Sequence, residues 1–358
     1  LSNNSLRSTA LEAPKGAGFL RKAVPVYGMV AIIVVLFVLF SVLRPDTFPT
    51  LLNFKILASG NATLFILALG VTLPMVVGKI DLSIGYGVGL WQVLALVLQM
   101  HGMDYRLVFL LTVIGGAAVG AINALLIELA QVDAFIATLA TGQVIYSISY
   151  WVTGGQQVID LKNQRSPSFN HLGTGSLFHI PATFIFAIVL AALMFIVLEY
   201  LPIGRYMYAV GANPRAAELM GIKRGRYVYG AMISSGVIVG IAGYLLCARQ
   251  LGNVQSNIGP DYLLPALTAA FIGSTTIRPG RVNAIGTVVG IFIAVIGISG
   301  LLQLFPDSFF LTPLFNGLTL VIAITIASIA SRNRRNKAQT SIPDGKTSNP
   351  DGDGKNKG

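Results

Sequence analysis

Charge is what this sequence has least of. Only 11% of its 358 residues are Asp, Glu, Lys or Arg, where a soluble domain carries about a quarter. Cysteine is nearly absent as well: the single Cys247 excludes a disulfide within the chain. The three histidines, His101, His171 and His179, show no metal-ligand spacing, and no serine sits in a nucleophile-elbow pattern. The catalytic and metal-site assignments are therefore both none. The 14 acidic residues fall in loops, in tails or near the ends of apolar segments, and no Lys or Arg lies in the middle of one. That absence disfavours a proton or sodium relay, which needs titratable groups inside a bundle. The formal charge of +11 resides in short loops and a tail, without interleaved aromatics, so a nucleic-acid face is excluded.

What fills the chain instead is apolar. It is 54% hydrophobic, with a mean hydropathy of +0.72, and segments near the length of a bilayer span recur along it. Ten are predicted, at about 26–43, 61–77, 84–100, 107–129, 135–153, 181–200, 228–248, 263–275, 282–304 and 312–330. The fold class expected is an all-α polytopic membrane protein of about ten transmembrane helices. The eighth segment is short enough to be tilted, broken or re-entrant. With both termini cytoplasmic, six of the 25 basic residues lie outside (Arg44, Lys55, Arg106, Lys162, Arg165 and Arg249) and nineteen inside. That asymmetry fits the positive-inside bias, and the reverse orientation inverts it. The organisation expected is an N-terminal cytoplasmic segment at 1–25, a transmembrane domain at 26–330 and a disordered cytoplasmic tail at 331–358. In that tail Gly345-Lys346-Thr347 imitates the end of a phosphate-binding loop, but the earlier glycine is missing and no strand precedes it.

An uncharged interior suits an uncharged cargo, handled by hydroxyls and amides. Asn61, Asn123, Thr138, Thr141 and Gln143 are the candidates for a translocation path, with Thr63, Ser147 and Gln303 beside them. Such side chains also bond neighbouring helices in membrane bundles. Glycines four apart (Gly85 and Gly89, Gly116 and Gly120, Gly236 and Gly240, Gly286 and Gly290) predict close helix packing.

The polar loop at about 202–227 contains a short helix with its own punctuation. Asn213 is an N-cap, Pro214 suits the first turn and Gly221 the stop. Arg215 and Glu218 are spaced to pair across a turn, and Ala216 and Ala217 give a thin face suited to a groove on another protein.

The motif running through Gly211, Asn213, Ala216, Ala217, Gly221 and Ile222 resembles the coupling segment of permeases of the ribose, galactose and xylose group of ABC importers. The stretch Gly78, Ile80, Asp81, Leu82, Ser83, Gly85 resembles their signature. Ile272-Gly273-Ser274-Thr275, continued by Thr276-Ile277-Arg278-Pro279-Gly280, is similar to a third conserved region, although Leu263 and Pro265 stand where acids are common. The resemblance implies a permease subunit in a bacterial inner membrane, paired with an identical or sister permease. It implies cytoplasmic ATP-binding subunits that hold the ATP, an external sugar-binding protein, and no cofactor on this chain. An ion-coupled sugar transporter and an intramembrane enzyme are the alternatives.

Overall fold

The computed structural model describes residues 16–275 and 281–340, with side chains described for 28–275 and 281–329. Arg278 and the Gly345-Lys346-Thr347 stretch lie outside the described residues. The chain is almost entirely helical: α1 (Gly16–Leu43), α2 (Leu51–Val76), α3 (Ser83–Met100), α4 (Tyr105–Glu128), α5 (Ala134–Thr153), α6 (Pro167–Thr174), α7 (Ala182–Glu199), α8 (Pro202–Ala212), α9 (Pro214–Leu219), α10 (Arg224–Arg249), α11 (Gly259–Thr275), α12 (Ala284–Leu304) and α13 (Leu311–Thr340). Four two-residue strands interrupt it: β1 (Val158–Ile159), β2 (Ser176–Leu177), β3 (Ile180–Pro181) and β4 (Asn253–Val254), with β1 paired to β4 and β2 to β3, both antiparallel.

Eight helices among the described residues are long and apolar enough to cross a membrane: α2, α3, α4, α5, α7, α10, α12 and the Leu311–Ile329 part of α13. The apolar part of α1, Gly28–Leu43, and α11, with 17 residues, fall below that length. Burial sorts the eight. In α2, α3 and α10 more than 70% of the apolar window is inside the protein, whereas α5 and α7 bury 28% and α13 11%. The first three form the centre and the others a sheath. The sheath presents bare Val, Leu, Ile and Phe, a surface that only lipid or another apolar partner can cover.

Three boundaries differ by ten residues from the hydropathy reading, the first being the start of α1, at Gly16 where 26 was expected. Helix α2 begins at Leu51, ten residues before the expected 61, because Thr50 caps it, its hydroxyl accepting from the Asn53 N–H at 3.1 Å. Lys55 is thus on a helix, and its charge together with Asn53 and Asn61 masked the apolar run. Helix α13 continues to Thr340, ten residues into the segment expected as disordered tail; Arg, Lys, Ala and Gln are good helix formers.

The glycine spacings do produce close contacts. A Cβ on Gly116 would overlap the Gly236 carbonyl, one on Gly240 the Thr112 carbonyl, and one on Gly286 the Gly273 carbonyl. These positions bring α4 against α10 and α12 against α11, backbone to backbone, as small residues allow.

The short α11 has a geometric cause. After β4 the chain turns along α3: the Gln92 amide donates to the Gln255 carbonyl at 2.7 Å, Ser256 faces Gly89, and Gly259 faces Gly85. From Gln92 to Gly85 is about 10 Å of helix. Part of the crossing is made by this non-helical segment, whose residues alternate between buried (Val254, Ser256) and exposed (Gln255, Asn257), and α11 starts only at Gly259, against Gly85. Non-helical backbone at such depth is tolerated where protein surrounds it or where it lines a water-filled path.

Candidate translocation face and coupling loop

The signature segment connects α2 to α3, and it is buried rather than looped into solvent. Asp81 is 1% exposed. Its Oδ1 accepts from the Ser83 N–H at 3.0 Å and the Ser83 hydroxyl at 2.6 Å, and its Oδ2 accepts from the Ser235 hydroxyl of α10 at 2.9 Å. The Asn123 amide on α4 donates to Ser83 Oγ at 2.9 Å, and the Thr141 hydroxyl on α5 donates to Asn123 Oδ1 at 2.5 Å. Thr138, also on α5, accepts from the Leu82 N–H at 3.0 Å and donates to the Ala134 carbonyl at 2.7 Å. One polar chain therefore runs Thr141–Asn123–Ser83–Asp81–Ser235 and ties α3, α4, α5 and α10 together.

This overturns the expectation of an interior without ionisable groups: Asp81 is such a group, in a linker by sequence and in the core by position. Its two oxygens are met by three donors of the chain itself, and those hydrogen bonds offset much of the desolvation of the carboxyl. The rest of the signature is structural too. Ile80 packs on the core, Gly85 lets α11 approach, and Gly78, at φ +77°, turns the chain out of α2.

The path candidates separate into groups. Asn123 and Thr138 are fully buried in this network, with Thr141 at its edge. Asn61 is apart from it, its amide donating to the Leu57 carbonyl of its own helix at 3.0 Å. Gln303 is engaged with Thr47 and Asn53, each at 3.0 Å. Gln143 alone among the five faces outward, from the tenth position of the twenty-residue α5. Its amide donates to the Tyr86 hydroxyl at 3.1 Å. Tyr86 stacks edge-on with Tyr146 at 5.8 Å, and the Tyr146 hydroxyl donates to that of Tyr150 at 3.2 Å. Gln143 and Ser147, with Val144, Ile148 and Trp151, border a shallow cleft of about 430 Å³ with no Lys or Arg among its lining. An exposed amide at the middle of a membrane helix is costly against lipid. This face of α5 is therefore suited to water, cargo or another protein. Sequence reasoning named Gln143 and Ser147 but missed Tyr86, Tyr146 and Tyr150. The Tyr146–Tyr150 spacing of four was the available signal, one that core aromatics share.

At the end of the bundle near Glu128, α8 leads into α9. Asn213 caps α9, its Oδ1 accepting from the Ala216 N–H at 3.1 Å, and Pro214 occupies the first turn. Gly221, at φ +79°, ends it, and the Ile222 N–H closes on the Ala217 carbonyl at 3.0 Å. Two expectations need correction. Arg215 and Glu218 are both exposed, and the ion pairs among the described residues, Arg224–Glu128 and Arg165–Asp160, do not include them. The alanine face is only half free: Ala216 is exposed, but Ala217 is 4% exposed, turned onto the chain's own α8 and α10. What projects from α9 is Leu219 and Met220, 88% and 82% exposed. Arg224 grips Glu128 with two hydrogen bonds, at 3.0 and 3.2 Å, and so anchors the start of α10 to the end of α4.

A helical bundle with a lipid-ready sheath, a polar face without Lys or Arg and a capped protruding loop is the form of a membrane transport subunit. The chain belongs to the family described as branched-chain amino acid transport system / permease component, whose model matches residues 54–346. Among similar proteins, the ribose import permease protein of Bacillus subtilis is 31% identical over 309 residues, covering 86% of this chain and 93% of that one. The galactose/methyl galactoside import permease protein of Escherichia coli K12 is 29% identical over 318 residues, covering 83% and 93%. The ribose import permease protein of Haemophilus influenzae is 28% identical over 295 residues, covering 82% and 90%. No solved structure gives a significant match.

Proposed function

We propose that this chain is the membrane-spanning subunit of an ATP-driven importer of a neutral sugar or similar polyol. The observation that carries the cargo class is the outward face of α5, where Gln143 and Ser147, with the half-buried Tyr146 and the exposed Tyr150 beside them, offer amide, hydroxyl and ring surfaces, and the adjoining cleft has no cation in its lining. Rings and amides suit a polyhydroxylated cargo, whereas the carboxylate of an amino acid would find no positive partner there. The import permeases for ribose and galactose point the same way.

The remaining machinery follows from that reading. On this reading the chain crosses a bacterial inner membrane ten times, counting α1 and α11, and the excess of Lys and Arg on one side favours both termini in the cytoplasm. A second permease, identical or sister, faces α5 across the pathway, and an external binding protein delivers cargo. ATP is hydrolysed on separate cytoplasmic subunits that receive α9, and this chain holds no cofactor. Asp81 supports the ion-coupled alternative only if it titrates during transport, and its three hydrogen bonds argue for a structural role.

Co-purification with the ATPase, followed by reconstitution in liposomes with the binding protein, tests this. Uptake of ribose or a related sugar should follow ATP hydrolysis and persist with ion gradients collapsed. Uptake that stops with the gradients, or that prefers leucine to every neutral sugar tried, would overturn the reading.

A further inference from the structure

At the end of the bundle opposite α9 a cavity of about 500 Å³ opens between the start of α2, the turn after α6 and the end of α10. Lys55, His179 and Arg249 line it, and no carboxylate does. The ion pairs among the described residues use neither Lys55 nor Arg249. Lys55 is half-buried, and the Nε of Arg249 is buried with no hydrogen-bond partner, although the Arg249 side chain also bonds the Tyr262 hydroxyl. Two cations drawn into one cavity without a counter-charge repel each other and lose hydration, a cost that an anion in the same space would offset.

The flank of the cavity narrows the choice of anion. Leu52 and Ile56, four apart on α2 with Lys55 between them, are 68% and 59% exposed. They place a greasy stripe directly beside the cationic pocket. A ligand with an anionic head and apolar chains satisfies both surfaces. A soluble anion, or an acidic side chain of a docking protein, would satisfy only the pocket. We propose that this cavity holds the phosphate of a phospholipid headgroup from the leaflet opposite α9, with its acyl chains over Leu52 and Ile56. Basic pockets between membrane helices take anionic headgroups in this way.

Native mass spectrometry of the full chain in detergent, titrated with phosphatidylglycerol, diacylglycerol or inorganic phosphate, tests this. Phosphatidylglycerol should be retained where diacylglycerol is not. Lys55→Gln and Arg249→Gln should each weaken its retention roughly fivefold. Lys55→Gln is the decisive variant, because Arg249 also reaches Tyr262 and its loss can disturb folding. Lys162→Gln, a cation outside the cavity lining, should change nothing. Equal retention of diacylglycerol, unchanged phosphatidylglycerol binding in Lys55→Gln, or displacement of the lipid by millimolar phosphate would overturn the proposal. So would a Lys55→Gln chain that keeps its lipid but no longer captures the external binding protein, since the pocket would then serve protein docking.

Discussion

Gly211, in the last turn of α8, lies directly against the backbone of α2 and its exit: a Cβ placed on it would overlap the Val76 carbonyl oxygen and come within 3.2 Å of the Gly78 nitrogen. The loop that carries α9 is thereby seated on the segment that leads, three residues later, to Asp81. Gly211→Ala should force this joint apart at a cost of about 1–3 kcal/mol. ATP-driven uptake in liposomes should fall more than ATPase binding does, since α9 itself is untouched. Gly230→Ala, a helical glycine with nothing within 4 Å of its would-be Cβ, is the matched control and should be neutral in melting temperature and uptake.

The projecting tip of α9 should matter more than its alanine face. Leu219→Ser with Met220→Ser should weaken association with the ATPase by 1 kcal/mol or more, about fivefold or greater, if these side chains fill a pocket on the partner. Pull-down from detergent measures it, and full binding by the double variant would exclude the tip as the contact. Ala217→Trp, by contrast, should lower the melting temperature, because the ring would be forced between α9 and the chain's own α8 and α10.

The buried polar chain should behave as a unit. Asn123→Ala leaves Ser83 without its donor and Thr141 without its acceptor, and should destabilise by about 1–3 kcal/mol. Asp81→Asn keeps the shape and should retain ATP-driven uptake. An Asp81→Asn chain that folds, binds its ATPase and yet transports nothing would reinstate the carboxyl as a working group.

The face of α5 should affect cargo without affecting stability. Gln143→Leu removes an exposed amide and its bond to Tyr86, so the melting temperature should hold while the apparent KM for sugar rises. A tenfold rise corresponds to about 1.4 kcal/mol of lost interaction. An unchanged KM would place the pathway elsewhere.

What depends on neighbours in the chain was legible before any packing is considered. Low charge and recurrent apolar runs marked the membrane helices, since bilayer insertion responds to a local average of hydropathy. Asn213, Pro214 and Gly221 marked both ends of α9, because a cap is satisfied within three residues. Only the tertiary structure decided the rest. Asp81 read as a loop residue, yet its partner on α10 is 154 residues away, and Ser83, which it also binds, is held by an α4 residue 40 positions further on. Asn123, Thr138 and Gln143 looked alike as polar residues in spans. Packing buried the first two and left the third exposed, and helical periodicity cannot make that distinction where almost every position is apolar. Ala217 looked free for the same reason: which side of a two-turn helix faces its own bundle is set by α8 and α10 closing around it, not by the helix.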